Sequence, residues 1–216
     1  MSKLSPLLVA VFLLFTAAGC NIIGAVAAKV GPEPTVPAQY VLAKDPVVVL
    51  AENYHNPASL RMESDAVARM VGEELKLNDA ASVVEPAKVE ELRQAKGPAY
   101  RKMALDAIAR AVDAKQIIYV DLERFEIEHA LGSELLTGKA EARVRVVDDA
   151  GELLWPIDSA GGYPVAVKIE PQRVASGAGD QAVRQQVHGA LADRIAKLFY
   201  NWKTEGADTG EHKFDE

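Results

Sequence analysis

Cysteine is nearly absent from this sequence, since its 216 residues include only one, Cys20. Without a second thiol, an intramolecular disulfide is excluded. Long apolar runs are missing too. The stretch at residues 7–15 is about half of the roughly 20 residues that a bilayer-spanning helix needs, so the sequence predicts no membrane-spanning helix.

Positive charge is also in deficit. Lys and Arg total 24 against 31 Asp and Glu, which gives a formal net charge of −7. An acidic surface does not attract nucleic acid, and it does not adsorb to anionic lipid as a basic patch would. We therefore expect no nucleic-acid partner, and any membrane attachment has to come from another source.

The motifs of common catalytic and metal sites are missing as well. The four histidines (His55, His129, His188 and His212) lack HExxH spacing, Ser133 and Ser159 lack a GxSxG elbow, and no glycine cluster forms GxGxxG. The sequence therefore predicts no catalytic residue, no metal and no cofactor.

One pair of carboxylates leaves an enzymatic alternative open. Asp121 and Glu123 fall on the same face of a predicted strand, and glycoside hydrolysis uses two carboxylates set across a cleft. The alternative is a periplasmic small-molecule-binding protein or hydrolase, with a cleft between this pair and the loop at 156–162. Paired acids on a strand are more often a solvated face.

The residues around Cys20 carry the clearest pattern. Lys3 precedes the apolar run, and small residues follow it up to Cys20, which is typical of a secretory signal peptide. The segment Ala17-Ala18-Gly19-Cys20 resembles the bacterial lipobox, with Ala in the place where Leu is usual. This resemblance implies that residues 1–19 are a lipoprotein signal peptide and that Cys20 carries the acyl chains, palmitate among them.

The lipobox resemblance also implies a location. Two or more acyl chains on Cys20 would hold the protein stably at a membrane. Asn21 follows, and the absence of an Asp there favours the outer membrane over the inner one. We expect the chain to face the periplasm, with residues 20–44 as the lipidated N-terminus and tether, and residues 203–216 as a polar tail.

Alternation and helical periodicity predict one α+β domain over residues 45–202, in the order β-α-β-α-β-β-β-β-α when a short helix at 86–94 is not counted. The predicted strands are 47–51, 81–84, 116–128, 140–146, 152–155 and 163–170. The predicted helices are one capped at Asn56, a short one at 86–94, the clearest one at 100–112, and a last one from Asp180 to Trp202. We expect a single mixed sheet with helices on one face, and a bulge at 123–124, where the apolar parity changes.

One predicted strand has a wet face. Its apolar positions alternate with Glu141, Arg143 and Arg145. If no helix covers this side of the sheet, a partner would dock there, with Arg143 and Arg145 as candidate contacts. Tyr54, in a predicted loop, is the third candidate. Trp155 and Trp202 are expected in the core, and His188 is expected to be solvated or partly packed on the last helix.

Three segments of the sequence resemble those of a known family. They are the run from Asp113 to Val120, the turn Asp148-Asp149-Ala150-Gly151 followed by Trp155, and the closing Ile195-Ala196-Lys197-Leu198-Phe199. Over about residues 45–202 the pattern resembles the periplasmic domain shared by the curli secretion lipoprotein CsgG, the penicillin-binding-protein activator LpoB and the N-terminal domain of TolB. The resemblance implies the α+β fold and no catalytic residues, and the chain has no long insertion for a pore hairpin.

The predicted function combines the two resemblances. We expect a lipid-anchored cell-envelope protein that acts as a non-enzymatic binding or assembly module for other envelope components. An envelope protein is the expected partner. A homo-oligomeric ring is a further interpretation.

Overall fold

A computed structural model describes residues 34–56, 59–129, 135–173 and 179–204. The chain divides into two compact units, residues 1–36 with 203–216, and residues 37–202. In the first unit, the Thr204 N–H donates to the Pro34 carbonyl at 3.1 Å. Cys20 and the predicted signal peptide lie outside the described residues.

The elements confirm the predicted α+β class. The strands are β1 (Thr35–Val36), β2 (Val47–Glu52), β3 (Gln116–His129), β4 (Leu135–Asp148), β5 (Leu153–Trp155), β6 (Tyr163–Arg173) and β7 (Trp202–Lys203). The helices are α1 (Arg61–Leu77), α2 (Pro86–Lys96), a 3-10 helix (Gly97–Lys102), α3 (Leu105–Ala111) and α4 (Gly179–Ala196). In the described part of the chain, no helix combines the length and apolar character needed to cross a membrane.

Strands β2 to β6 form one mixed sheet of five strands, in the order β2-β3-β4-β5, with β6 also pairing with β4. β2 runs parallel to β3, and the other pairs are antiparallel. The register of β3 on β4 shifts between Leu122 and Arg124, which confirms the predicted bulge. Because of this shift, Phe125 returns to the same buried face as Leu122.

Helices cover both faces of the sheet at its β2 end, so the expectation of helices on one face is wrong. α1 and α4 bury one face, whose strand residues include Val49 and Ile118. α2, the 3-10 helix and α3 bury the other face, whose strand residues include Val48 and Ile117. The reason lies in the strands themselves, since β2 and the first half of β3 are apolar at successive positions rather than at alternate ones.

Two predicted elements between β2 and β3 are shorter than expected. Residues 81–84 make one parallel bridge, Val83 to Val47, instead of a strand, because the chain turns into α2 at Pro86. The predicted helix at 100–112 is split by extended backbone at Met103 and Ala104. Residues i and i+3 share a side of a 3-10 helix, so Tyr100 and Met103 still pack on the same cluster.

The ends of the other two long helices also differ from the prediction. α1 starts at Arg61, after Leu60 in a left-handed conformation, and Asn56 instead accepts the Ser59 N–H through its carbonyl. α4 ends at Ala196, so the tight turn after it, rather than helix, buries Phe199.

The two tryptophans have different surroundings. Trp155 is partly buried against the core and stacks on Tyr163, with ring centroids 5.1 Å apart. Trp202 lies beyond α4 and does not belong to either core cluster, so its predicted core position is wrong. The Lys197 Nζ lies 4.7 Å from the centroid of its ring. The Trp202 ring therefore makes a cation–π contact with the Lys197 ammonium group instead of packing in the core.

Candidate interaction surface

The open face is the solvent side of the sheet beyond the α2 and α3 layer. It consists of the outward side chains Asp121, Glu123, Arg124 and Glu126 on β3, Lys139, Glu141, Arg143 and Arg145 on β4, and Pro164, Ala166 and Lys168 on β6. The strict alternation of β4 places its charged residues on this side and its buried residues on the other. The three β6 residues are exposed.

Cross-strand ion pairs run along the open face. Arg143 Nε lies 2.8 Å from Glu123 Oε1, and Arg124 Nη1 lies 3.1 Å from Glu141 Oε1. Further along, the Lys139 ammonium donates to Glu126, and this hydrogen bond lowers the pKa of the Glu126 carboxyl. Exposed pairs of this kind contribute little to stability. Breaking these pairs costs little, so their charged side chains are available to bind a partner.

Tyr54 lies at one end of the open face. Its N–H donates to Asp121 Oδ1 at 2.8 Å, and the Asn53 amide donates to the Leu122 carbonyl at 2.9 Å, so the loop after β2 is fixed to β3. The Tyr54 side chain is 63 % exposed. Asp121 is the register partner of Arg143. The structure thus brings two of the three candidates from the sequence, Tyr54 and Arg143, to the same end of the open face.

Arg145 marks the border between the open face and the α2 and α3 layer. Its guanidinium carbon lies 4.9 Å from the centroid of the Tyr119 ring, and the Tyr119 hydroxyl donates to Glu52 Oε1 at 2.9 Å. Burial, reinforced by the Glu52 carboxylate, raises the pKa of Tyr119. The phenol therefore stays protonated, and Arg145 stacks on a neutral aromatic ring.

Gly162 is a residue whose role the sequence did not indicate beyond a turn. It has φ of 92°, and a Cβ there would lie 3.0 Å from Arg145 Cγ and 3.2 Å from Arg143 Cβ. Gly162 therefore lies directly beside the aliphatic stems of both arginines, where a larger residue would meet them.

The carboxylates of the enzymatic alternative belong to the same surface. Asp121 accepts the Tyr54 N–H, Glu123 accepts from Arg143, and the Ser159 hydroxyl donates to the Gly162 carbonyl at 3.3 Å. Two clefts, of about 430 Å³ and 640 Å³, lie beside β2, and neither is lined by Asp121 or Glu123. Among the described residues, no three His, Cys, Asp or Glu side chains are grouped so that they could hold a metal ion.

His188 is buried, which the sequence did not predict. Its side chain lies on α4 against the Phe125 ring, with centroids 4.7 Å apart, and its Nε2 has no hydrogen-bond partner in the described part of the chain. Gly138 on β4 has no side chain, so α4 approaches the sheet closely there. Burial lowers the pKa of His188, although the nearby Glu63 carboxylate opposes the shift.

We expect the free energy of unfolding to fall as the pH drops below 6.5, partly through His188. The unfolded chain takes up this proton near pH 6.5, whereas the folded chain resists it to lower pH. The contribution of neutral His188 to the free energy of unfolding is therefore complete above pH 6.5. It is lost as the pH falls through the lowered pKa of His188 in the folded chain. Urea denaturation of His188→Gln at several pH values should give a flatter profile below pH 6.5 than the wild type. His55→Gln, in the exposed loop, controls for the loss of a histidine, and a His188→Gln profile as steep as the wild type would contradict the expectation.

Comparisons with known proteins leave the family open. No protein-family model matches the chain, and no curated protein matches it. Among solved structures, the lipoprotein GNA1162 from Neisseria meningitidis aligns with a TM-score of 0.42 and 16 % identity, covering 70 % of this chain and 96 % of its own. A PelC dodecamer from Paraburkholderia phytofirmans aligns at 0.41 with 11 % identity, covering 78 % and 99 %.

A third solved structure is the minor lipoprotein from Acinetobacter baumannii, with a TM-score of 0.40, 10 % identity and coverage of 72 % of this chain and 92 % of its own. Two of these three structures are bacterial lipoproteins. All three TM-scores are below 0.5, so the three proteins assign neither a family nor a function to this chain.

Proposed function

We propose that this protein is a lipid-anchored component of the cell envelope that binds or assembles other envelope proteins without catalysing a reaction. The observation that carries the proposal is the open face, a charged sheet surface that the helices of the domain leave exposed. An acidic chain with a lipobox-like segment is the context in which such a face would meet an envelope partner.

The chemistry of the open face suits a protein partner. Arg143 and Arg145 offer planar guanidinium groups whose aliphatic stems lie beside Gly162. Tyr54 adds an exposed aromatic ring beside them. Tyr and Arg are enriched among the residues that dominate protein interfaces, and alternating charges select a partner of complementary pattern. The exposed ion pairs can exchange their present partners for groups on a docked protein at small cost.

The absence of catalysis is part of the proposal. Asp121 and Glu123 lie on one strand. Asp121 accepts a hydrogen bond from Tyr54 and Glu123 accepts one from Arg143, so both carboxylates belong to the hydrogen-bond network of the open face. A glycosidase would need its two carboxylates to face each other across a substrate. On this proposal, neither a metal nor a cofactor takes part.

The anchor in this proposal is Cys20, outside the described residues. Acylation of its sulfur and amino group would attach the protein to the outer membrane with the domain in the periplasm, as the lipobox resemblance and Asn21 imply. Two or more acyl chains suffice for stable attachment, which an acidic domain could not obtain from anionic lipid.

Cys20→Ala tests the anchor. We expect the variant to lose incorporation of an alkyne-labelled palmitate and to move from the membrane fraction to the soluble fraction, because the acyl chains on Cys20 are the membrane attachment in this proposal. Ser2→Ala leaves the cysteine in place and serves as a matched control. Unchanged membrane fractionation of Cys20→Ala would contradict lipid anchoring. This outcome is independent of whether the open face binds a partner.

A photo-crosslinking amino acid at Ala166 tests the docking surface in living cells. Ala166 is exposed on β6 within the open face, whereas Lys88 is exposed on α2, outside it. We expect a specific adduct with an envelope protein from position 166 and none from position 88, and Arg143→Glu should reduce the adduct from position 166 severalfold. Adducts of equal yield at both positions, or adducts only between copies of this chain, would count against a docked partner on this face.

A further inference from the structure

The edge of β2 that faces away from β3 borders a cleft that plays no part in the open face. This cleft, the β2 slot, has a volume of about 640 Å³ and lies between α1 and α2. Val49 and Ala51 of β2 line it, together with Ala68 and Gly72 of α1 and Val89 of α2. The open face lies on β3, β4 and β6, so the β2 slot is a separate surface.

Hydrogen bonding along β2 shows which main-chain groups face the slot. The Pro46 carbonyl accepts from Lys115, just before β3, whereas the Val47 N–H donates to Ser82 and the Val47 carbonyl accepts from Val84, each at 2.8 Å. Main-chain groups of successive strand residues point in opposite directions. The N–H and C=O groups of Val49 and Ala51 therefore point away from β3, as those of Val47 do.

Val47 has partners on this side, but Val49 and Ala51 do not. On the slot side of β2, the described residues pair with it only at the Val83 bridge, and no hydrogen bond among them joins Val49 or Ala51 to a group on that side. Both residues are buried, with Val49 8 % and Ala51 4 % exposed. Buried main-chain donors and acceptors are nearly always paired, so these four groups bond water in the cleft or a chain that replaces the water.

The walls of the β2 slot leave room for an added strand. Two of the α1 residues that line the slot, Ala68 and Gly72, are small. Two ion pairs link the helices across the slot, Lys76 with Glu85 and Arg93 with Asp65, the latter at 2.6 Å between nitrogen and oxygen. Both pairs involve partly exposed side chains and contribute little to stability, so they can open to admit a peptide.

We propose that the β2 slot binds an extended peptide segment of a partner protein, which adds to the sheet as a strand beside β2. Donor and acceptor groups that recur at every second residue match an extended backbone and not a compact small molecule. The apolar lining from Val49, Ala51 and Val89 favours small apolar side chains at alternate positions of the peptide. The proposal is independent of the open face and of lipid anchoring.

The test uses the purified full chain and a displayed library of random ten-residue peptides without cysteine. Enriched peptides are synthesised, and their affinity is measured by fluorescence polarisation. Ala68→Phe places a large side chain in the slot and should weaken binding by at least about tenfold, since losing one or two hydrogen bonds already costs that much. Ala95→Phe is the matched control and should bind like the wild type, because Ala95 is exposed on α2 and lines neither the slot nor the open face.

Hydrogen exchange of the wild-type complex provides a readout that does not depend on a variant folding. The amides of Val49 and Ala51 should exchange at least tenfold more slowly with bound peptide, because they become donors to it. No enriched peptide, or peptides that bind without protecting these two amides, would overturn the proposal. Binding weakened by Ala95→Phe and not by Ala68→Phe would overturn it as well.

Discussion

Ile117→Ala should lower the free energy of unfolding by about 2–5 kcal/mol, the usual cost of truncating a fully buried isoleucine. Ile117 has no exposed surface and belongs to the cluster formed with α2, the 3-10 helix and α3. The substitution removes three carbon atoms and leaves a cavity between the sheet and a layer of short helices. Urea denaturation followed by circular dichroism measures the change.

This prediction distinguishes between two arrangements of the fold. Ile118, the next residue, is equally buried but faces α1 and α4, so Ile118→Ala should cost a similar amount. If helices covered one face only, one of these neighbouring substitutions would be nearly neutral. Ile157 is 86 % exposed, and Ile157→Ala is the matched control, expected within about 0.5 kcal/mol of the wild type. An Ile117→Ala variant as stable as this control would contradict a packed second layer.

Gly138→Ala should destabilise the protein by about 1–3 kcal/mol, even though alanine is ordinarily the better residue inside a strand. A Cβ at Gly138 would overlap with Val187 Cγ2 and would lie 3.0 Å from Ile127 Cδ1 and 3.1 Å from Val183 Cγ1. Val183 and Val187 are fully buried on α4. The added methyl group therefore has to push α4 away from the sheet, and thermal unfolding should show the loss.

Gly189→Ala provides the opposite expectation on the same helix. Gly189 lies inside α4, and a Cβ there would meet only the flexible end of Met70, at 3.5 Å from its Cε. Replacing an interior helical glycine by alanine should stabilise the protein by about 0.5–1 kcal/mol. A stabilising effect at both positions would mean that α4 does not lie as close to β4 as Gly138 requires.

Local patterns were sufficient for much of the β-sheet and for part of the candidate surface. The parity change at Glu123 and Arg124 predicted the bulge, because side-chain direction alternates strictly along a strand. The alternation that includes Arg143 and Arg145 predicted a strand with one wet face for the same reason. The turn at 148–151 was predictable because Asp148 Oδ1 accepts hydrogen bonds from Ala150 and Glu152, within its own turn.

Helix boundaries and the environment of His188 could not be predicted in this way. The apolar spacing from Tyr100 to Val112 fits one long helix and also a 3-10 turn followed by a short helix, because both arrangements direct these residues to one side. The sequence places His188 among polar neighbours on α4. Its burial comes from packing against Phe125, which is 63 positions earlier in the chain and lies beside α4 only in the folded protein.

By itself, the sequence determined the composition, the acidic charge, the single cysteine with its lipobox-like segment, and the two-fold alternation that builds the strands. Only the tertiary structure decided where the helices lie: α2 and α3 cover one end of a sheet face, leave the charged end open, and stand apart from α1 beside the unpaired edge of β2. Alternation states which side chains share a face. Which faces and edges remain uncovered depends on packing between elements distant in sequence, since burial is gained wherever apolar surfaces fit.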